Sequence, residues 1–444
     1  MLAWNKKNLF VLFLVAVTSF EALANWQPLP LRERAQVIDS ITEQRIKALL
    51  PSLMTEHGVD MWLIISREYN EDPVIKTILP ATWHSARRRT ILAFINTPND
   101  GVKALAIAPY KVGNTFERAW DKKAQPNQWQ ALVDIIEHYK PRNIALNESE
   151  HWGHADGLNV TDKREFIEAL PQLYHHKLVS AEPLAIAWLE TRIAPEVKIL
   201  DELVAKAHDI IAEGFSSQTI TVGETTTQDL QWWFREKVLS LNLQTWFHPS
   251  VSIQRSDKVK FDHEDSFTNG YGDQVIQPGD LLHVDFGLTY LRMNTDTQQH
   301  AYVLKEGETK APNYLINALQ KANVLQDILT GEFEKERTGN AVLKASLANA
   351  KAKGLKPTIY THPLGFHGHG AGTTIGMWDK QSGVVGTGDY PLHYNTAYSI
   401  ELNNAIYINA WQKEIRIMLE EDAYFDKSGI RYFDGRQTEL LLVR

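Results

Sequence analysis

The stretch HVDFGLTYLRMNTDTQQHAYVL, residues 283–304, places two aspartates on what the sequence predicts to be a hairpin of two strands. Asp285 follows Leu282 and Val284, a setting typical of a buried strand. Asp296 lies eleven residues later, in a run of Thr, Asn and Gln. An ionised carboxylate in a buried position is unfavourable unless it is paired or bound to a metal. Two acids facing each other would repel, and a divalent cation between them would resolve the repulsion.

Further acids and histidines follow in apolar or glycine-rich surroundings. The stretch THPLGFHGHGAGTTIG starts at residue 361, and strand-like stretches YSIELNNAIYI and IRIMLEEDAYF come after it. Any one of these acids alone is more readily explained as a turn cap or a solvated carboxylate. Together, four carboxylates and one imidazole make up the ligand set of a dinuclear hydrolytic centre. The candidates in these stretches are His362, His367, His369, Glu401, Glu420, Glu421 and Asp422.

The composition narrows the chemistry of any such site. The chain has 444 residues, 43% of them hydrophobic, and a formal charge of -8, which predicts no nucleic-acid partner. There is no cysteine. Cysteine nucleophiles and iron–sulfur clusters are therefore excluded, and only His, Asp and Glu are plausible metal ligands.

The first 24 residues have the composition of a secretory signal peptide. Two lysines precede the apolar stretch NLFVLFLVAVTSF, and Ala22-Leu23-Ala24 supplies small residues for cleavage before Asn25. The apolar stretch is shorter than the roughly 20 residues that a bilayer span needs. We therefore predict export across the inner membrane to the periplasm, with no membrane span after signal cleavage.

Helix and strand patterns divide the mature chain into two domains. Residues 25–188 alternate helices with short apolar strands and predict an α/β domain. In residues 189–444 two pairs of amphipathic helices each lead into a strand-rich block, which predicts an α+β domain, possibly an internal duplication.

The ligand pattern resembles the pita-bread metallohydrolases, a family that includes aminopeptidase P, prolidase, methionine aminopeptidase and the metal-free creatinase. The spacing from Asp285 to Asp296 is similar to its Asp-x10-Asp pair, and GHGAG at 368–372 is similar to its Gly-His-x-x-Gly loop. This match makes His369 the ligand histidine. Glu401 matches the first ligand glutamate, and Glu420 is preferred to its neighbour Glu421 because a glycine follows nine residues later.

The resemblance implies a creatinase-like N-terminal domain and a C-terminal pita-bread domain with a curved antiparallel sheet and two helix pairs. It implies two divalent ions, with Mn favoured over Co or Zn. Asp285 would bind one ion, His369 the other, and Asp296 and Glu420 would bridge them. Glu401 would also bind metal and act as general base towards the attacking water. Dimers are common in the family, so a homodimer is expected.

When His369 is taken as the ligand, some of the family's other histidines are absent from their usual positions. The family's peptidases usually carry histidines seven residues after and four before the ligand histidine, where this chain has Gly376 and Gly365. We expect His362 or His367 to take over the polarisation of the substrate carbonyl. A further family histidine precedes the first aspartate, and His263 is the candidate for it.

Three functions compete at this stage. The leading hypothesis is an Xaa-Pro aminopeptidase or prolidase-like exopeptidase that cleaves the C–N bond of a short peptide. The displaced histidines leave open a hydrolase of a small non-peptide amide or amidine, as creatinase and ectoine hydrolase are. A non-catalytic binding module on the same fold is the third hypothesis, and the complete ligand set argues against it.

Overall fold

A computed structural model describes residues 26–97, 101–260, 262 and 272–444. The predicted signal peptide and His263 lie outside these residues. Within the described part of the chain, no helix combines the length and the hydropathy that a bilayer span requires. The predicted boundary between residues 188 and 189 falls inside a helix, Glu182–Glu190, and stays a prediction.

The N-terminal half contains a six-stranded mixed sheet with the strand order β4-β3-β2-β1-β5-β6. The central strand β1 is buried on both faces, as its run of apolar residues predicts. It pairs antiparallel with β2 and parallel with β5. The strands are β1 (Met61–Arg67), β2 (Arg89–Thr97), β3 (Gly101–Ala106), β4 (Glu117–Arg118), β5 (Ile144–Leu146) and β6 (Leu178–Ser180).

Helices pack on this sheet and confirm the predicted α/β pattern. The first helix continues through a π-helical turn, Arg45–Leu49, before the chain enters β1. Two short 3-10 helices, Gly153–Ala155 and Gln172–Lys177, lie in the connections around β5 and β6. The α-helices are α1 (Leu31–Gln44), α2 (Leu50–Glu56), α3 (Pro73–Ile78), α4 (Gln128–Tyr139), α5 (Val160–Ala169) and α6 (Glu182–Glu190).

The C-terminal half is built on a nine-stranded sheet with the order β12-β14-β15-β11-β8-β7. In addition β13 pairs with β14, β16 with β15, and β17 with β11. A separate two-stranded hairpin, β9 and β10, lies between β8 and β11. The strands are β7 (Ser250–Gln254), β8 (Leu281–Phe286), β9 (Thr289–Tyr290), β10 (Met293–Asn294), β11 (Thr297–Val303), β12 (Pro357–Ile359), β13 (His362–Leu364), β14 (Thr396–Ile408), β15 (Lys413–Asp426), β16 (Gly429–Tyr432) and β17 (Leu441–Val443).

Two helix pairs flank this sheet, as the sequence predicts. The pair α7 (Ala194–Gly214) and α8 (Thr227–Ser240) packs with apolar residues of β8 and β11 in one buried cluster. The pair α9 (Asn313–Thr330) and α10 (Gly339–Ala352) packs with those of β14 and β15 in another. The apolar side chains of the helix pairs and of the sheet are thus buried against each other and removed from water.

A buried ion pair joins the two halves. The Arg45 guanidinium donates to Glu196 at 2.7 Å and to the carbonyl oxygen of Thr191 at 2.7 Å, and both charged side chains are almost fully buried. Glu196 also lies 3.5 Å from Arg192. Its carboxylate accepts from the backbone N–H of Ile193 at the start of α7. This network ties the π-helical turn to the first helix of the C-terminal half.

Arg45→Met should destabilise the folded chain, because it leaves the buried Glu196 with one cation instead of two. We expect a loss of roughly 3–5 kcal/mol in the free energy of unfolding, the range for breaking a buried ion pair. The measurement is urea unfolding followed by tryptophan fluorescence. Lys47→Met, which removes an exposed lysine from the same turn, is the matched control. Equal stability of the two variants would contradict the prediction.

Candidate metal centre

Four neighbouring strands of the curved sheet present one polar side chain each at the same level. In the strand register Glu401 on β14 lies opposite Glu420 on β15. Glu420 in turn lies opposite Gln298 on β11, and Gln298 lies opposite Asp285 on β8. Asp296 precedes Gln298 by two residues and therefore projects to the same face of an extended chain. The row thus gathers the two aspartates of residues 283–304 with both predicted glutamates.

Carboxylate oxygens within this row are close enough to share a cation. Oxygens of Asp285, Asp296 and Glu420 all lie within 4.8 Å of one another. Burial raises the pKa of Asp285 well above its ordinary value, and the negative charge of Glu420 raises it further. The same two causes, in the same order, raise the pKa of Asp296 and of Glu401. Raised pKa values make these carboxyl groups bind protons more readily, and a divalent ion would displace those protons.

His362 is the imidazole that faces the carboxylates. Its Nε2 lies 3.6 Å from an oxygen of Glu420 and 3.9 Å from oxygens of Asp296 and Glu401. The ring is buried, and its Nε2 makes no hydrogen bond to the described residues. Nδ1 lies 3.1 Å from the carbonyl oxygen of Pro363. A proton on Nδ1, donated to that carbonyl, would leave the Nε2 lone pair for a metal ion.

The donor set fits divalent metal ions on the evidence of its own geometry. Three overlapping groups of potential ligand atoms each lie within 4.8 Å: Asp285, Asp296 and Glu420; His362, Glu401 and Glu420; and Asp296, His362 and His369. One oxygen of Asp285 is buried without a hydrogen-bond partner among the described residues, as is His362 Nε2. Oxygen-rich sites with a single imidazole suit hard divalent ions.

The other predicted histidines occupy different places. His369 is solvent-exposed, with its ring centroid 4.7 Å from that of His362 and 5.2 Å from that of Trp246. His367 packs against His154 at 4.6 Å and forms no ion pair with the carboxylates of the described residues. Burial lowers the pKa of His367 to about 3, so its imidazole is neutral at physiological pH.

Glu421, the alternative last ligand, points away from the row. Its carboxylate lies 2.8 Å from His208 and accepts hydrogen bonds from the Gln299 side chain and the backbone N–H of Gln437. Side chains alternate along β15, so Glu420 and Glu421 lie on opposite faces of the sheet. Asp422 returns to the face of Glu420, where it accepts from the backbone N–H of Asp296 at 3.0 Å.

Three residues of the site escaped the sequence analysis. Gln298 donates its amide to both Glu401 and Glu420, and His283 lies 2.9 Å from the amide oxygen of Gln298. Ser399 also donates to Glu420, at 2.5 Å. The twofold alternation of strands could have pointed to Gln298 and His283, because each is two residues from a predicted aspartate ligand.

A cavity of about 490 Å³ opens beside the carboxylate row. Asp285 and Glu401 lie at its metal-facing end, and its other described lining residues include no Asp, Glu, Lys or Arg. Aromatic side chains form much of the remaining wall, namely Trp232, Phe247, Tyr360 and Trp378. The cavity therefore offers space for a sizeable group next to the site of chemistry.

Comparison with known families identifies the chain. The sequence profile of metallopeptidase family M24 matches residues 199–433, which is more than half of the chain. The chain belongs to metallopeptidase family M24. Members of this family bind divalent metal ions, and in this M24 chain the matched region contains every member of the carboxylate row. The predicted pita-bread fold is thereby confirmed. No curated protein matches the chain in sequence.

Solved structures with a similar fold carry peptidase names. The X-Pro aminopeptidase of Thermotoga maritima aligns with 88% of this M24 chain and 100% of its own, at a TM-score of 0.63 and 16% identity. The Xaa-Pro dipeptidase of Bacillus anthracis aligns with 93% and 100%, at a TM-score of 0.58 and 15% identity. A dipeptidase of Pyrococcus horikoshii aligns with 90% and 100%, at 0.59 and 16%. Identities this low establish the shared fold alone.

The raised carboxyl pKa values predict how the metal-free protein responds to pH. A carboxyl group with a raised folded-state pKa makes the folded chain bind more protons than the unfolded chain, so stability falls as pH rises towards that pKa. Several buried histidines, His300 among them, have lowered pKa values and give the opposite slope below about pH 6.5.

We therefore expect the melting temperature of chelator-treated protein to fall with rising pH in the interval above about pH 6.5, where the opposing histidine contribution has ended. Asp296→Asn, which removes one member of the row, should flatten this fall. The measurement is a series of thermal melts followed by circular dichroism. A melting temperature that rises across this interval would contradict the prediction that the raised carboxyl pKa values lower stability. An unchanged slope in Asp296→Asn would also contradict it.

Proposed function

We propose that this M24 chain is an exopeptidase that hydrolyses short peptides with two divalent metal ions bound by the carboxylate row. The observation that carries the proposal is that two ligand groups, one of His362, Glu401 and Glu420 and one of Asp285, Asp296 and Glu420, share Glu420. Shared ligands are what a pair of adjacent ions requires, since a bridging carboxylate binds both. The oxygen-rich donor set favours Mn, with Co or Zn as alternatives.

We assign the ligand histidine to His362 and an outer role to His369, the reverse of the sequence-based expectation. The distances of His362 Nε2 to three carboxylates support this exchange. So does the spacing along the chain. Gly365 follows His362 by three residues, and His369 follows it by seven. Those are the offsets at which the family's peptidases carry a glycine and their second histidine.

The proposed roles follow from position and exposure. Bound divalent ions would polarise the scissile carbonyl and lower the pKa of the attacking water. Glu401 is less buried than Glu420, which lies opposite it, and it lines the cavity, so it can accept a proton from water and deliver it to the leaving nitrogen. His369, at the open edge of the site, can donate to the oxygen on which negative charge develops.

The cavity supports a preference for an uncharged side chain on the substrate. Apart from the ligand carboxylates Asp285 and Glu401, its described lining provides no charge. A lysine or glutamate side chain buried there would lose its hydration without gaining an ion pair, which is unfavourable by about 1–3 kcal/mol or more. Xaa-Pro peptides are the first candidates, because the structural relatives include enzymes named for that class.

The assignment of His362 as ligand and His369 to the outer role also helps to choose between the two candidate functions. A hydrolase of a small non-peptide amide or amidine was suggested by outer histidines that seemed displaced. With His362 as ligand, His369 occupies the peptidase position, and this favours a peptide substrate. Periplasmic location, dimerisation and any role of His263 stay predictions.

The histidine assignment has a direct test in two alanine variants. His362→Ala should lose about one bound ion per chain, because it removes a ligand. His369→Ala should keep its metal content and lose roughly 100–1000-fold in kcat, the range for removing one oxyanion donor. Metal content is measured by mass spectrometry after dialysis, with His367→Ala as control. Metal loss in His369→Ala and retention in His362→Ala would reverse the assignment.

The function itself is tested with Xaa-Pro dipeptides and tripeptides, matched peptides lacking proline, and small amides, each with and without Mn. We expect Mn-dependent release of the first residue, with kcat/KM about 10–100-fold higher for Phe or Leu than for Lys or Glu at that position. Asp296→Asn should abolish turnover and leave the fold largely intact. A chain that binds two ions but cleaves no C–N bond would instead be a binding module.

A further inference from the structure

Gln298 occupies a place in the carboxylate row that an acid occupies on each neighbouring strand. Asp285 lies directly opposite it on one side and Glu420 on the other. The side chain is buried, with 7% of its surface exposed. A neutral amide at the centre of four acids cannot bind a divalent ion as strongly as they do. Its contribution must therefore lie in its hydrogen bonds.

The Gln298 amide nitrogen binds one oxygen of each ligand glutamate. Nε2 donates to Oε1 of Glu401 at 3.0 Å and to Oε2 of Glu420 at 2.6 Å. The opposite oxygens face His362, at 3.9 Å for Oε2 of Glu401 and 3.6 Å for Oε1 of Glu420. Each glutamate thus has one oxygen tied to the amide and the other turned towards the imidazole.

The two glutamate carboxylates and His283 together fix which way the amide points. Its Nε2 lies 2.9 Å from Oε1 of Gln298, and its Nδ1 lies 3.4 Å from the Ser252 hydroxyl. Because the amide oxygen can only accept, the imidazole proton must be on Nε2. An amide turned by half a revolution would place its oxygen against two carboxylates and would also require the other tautomer of His283. The contacts therefore permit one orientation.

We propose that Gln298, oriented by His283, is a positioning residue that holds Glu401 and Glu420 so that each presents a single oxygen to the metal centre. This inference rests on the proposed two-ion function. Hydrogen bonds from outside the ligand set orient ligands before metal binding, and their loss typically weakens metal affinity 10–100-fold. Without the amide Glu401 can rotate, and Glu420 loses the donor that it shares with Glu401 while its other oxygen still accepts from the Ser399 hydroxyl at 2.5 Å.

The experiment measures metal affinity and geometry in the chain lacking its signal peptide. Gln298→Met keeps the length of the side chain and removes its donor. Gln299→Met is the matched control, because Gln299 is equally buried and donates at 3.1 Å to Glu421 on the opposite face. Mn²⁺ affinity is measured by competition with a chelating dye, and the visible spectrum of the Co²⁺-loaded protein reports ligand geometry.

Gln298→Met should bind Mn²⁺ about 10–100-fold more weakly and show a changed Co²⁺ spectrum, whereas Gln299→Met should keep both properties of the wild type. Unchanged affinity and spectrum in Gln298→Met would overturn the inference. Equal weakening by Gln299→Met would also overturn it, because the effect would then come from general loss of stability. A wild-type chain that binds no divalent ion would overturn the proposed function instead.

A second pair of variants tests the orientation and remains decisive if Gln298→Met does not fold. His283→Phe removes the donor to Gln298, and His283→Gln can restore it. We expect weaker Mn²⁺ binding in His283→Phe and near wild-type binding in His283→Gln. In the double variant His283→Phe with Gln298→Met the losses should not add, since both changes break one chain of contacts. Additive losses, or equal binding by Phe and Gln at position 283, would refute the orienting role.

Discussion

Mutual repulsion among four buried carboxylates is the constraint on which the rest of this structure depends. The free energy of bringing Asp285, Asp296, Glu401 and Glu420 together is unfavourable unless protons or cations neutralise them. Their positions are nevertheless set before any ion binds, because each projects from, or lies beside, a strand paired in the interior of one sheet. The sheet therefore supplies the rigidity that keeps like charges close, and metal binding would relieve the stored repulsion.

The same sheet separates ligand acids from structural acids by the alternation of side chains. Glu420 and Asp422 face the row, whereas Glu421 between them faces His208 and the C-terminal residues. Neighbouring glutamates thus differ completely in environment. On the outer face, Glu421 accepts three hydrogen bonds from groups that anchor the sheet to α7 and to the end of the chain.

Packing explains the glycines of the histidine-rich loop. A side chain at Gly368 would overlap the ring of Trp246, and one at Gly372, where φ is +133°, would overlap Glu190 and Pro363. Trp152 of the N-terminal half also donates to the carbonyl oxygen of Gly372. These glycines let the loop pass between the two halves of the molecule. A loop of this composition matches Gly-His-x-x-Gly at His369 even though the buried imidazole belongs to His362.

Several features of this protein were determined by the sequence alone, because they depend on local periodicity. Apolar runs and amphipathic faces specify the α/β half, the two helix pairs and the long strands β14 and β15, and the structure confirms them. The four acids of the row could also be predicted as ligands from the sequence, because a charged residue inside an apolar strand is unfavourable without a partner. The absence of cysteine restricted the ligands to nitrogen and oxygen.

Other features were decided only by the tertiary structure, because they depend on strand register and packing between distant segments. Pairing of β11 with β15 brings Gln298 against two glutamates more than a hundred residues away, and no local pattern encodes that contact. The choice between His362 and His369 likewise depends on which imidazole points into the sheet. Both satisfy the same local spacing to a glycine, so only the three-dimensional position of Nε2 distinguishes them.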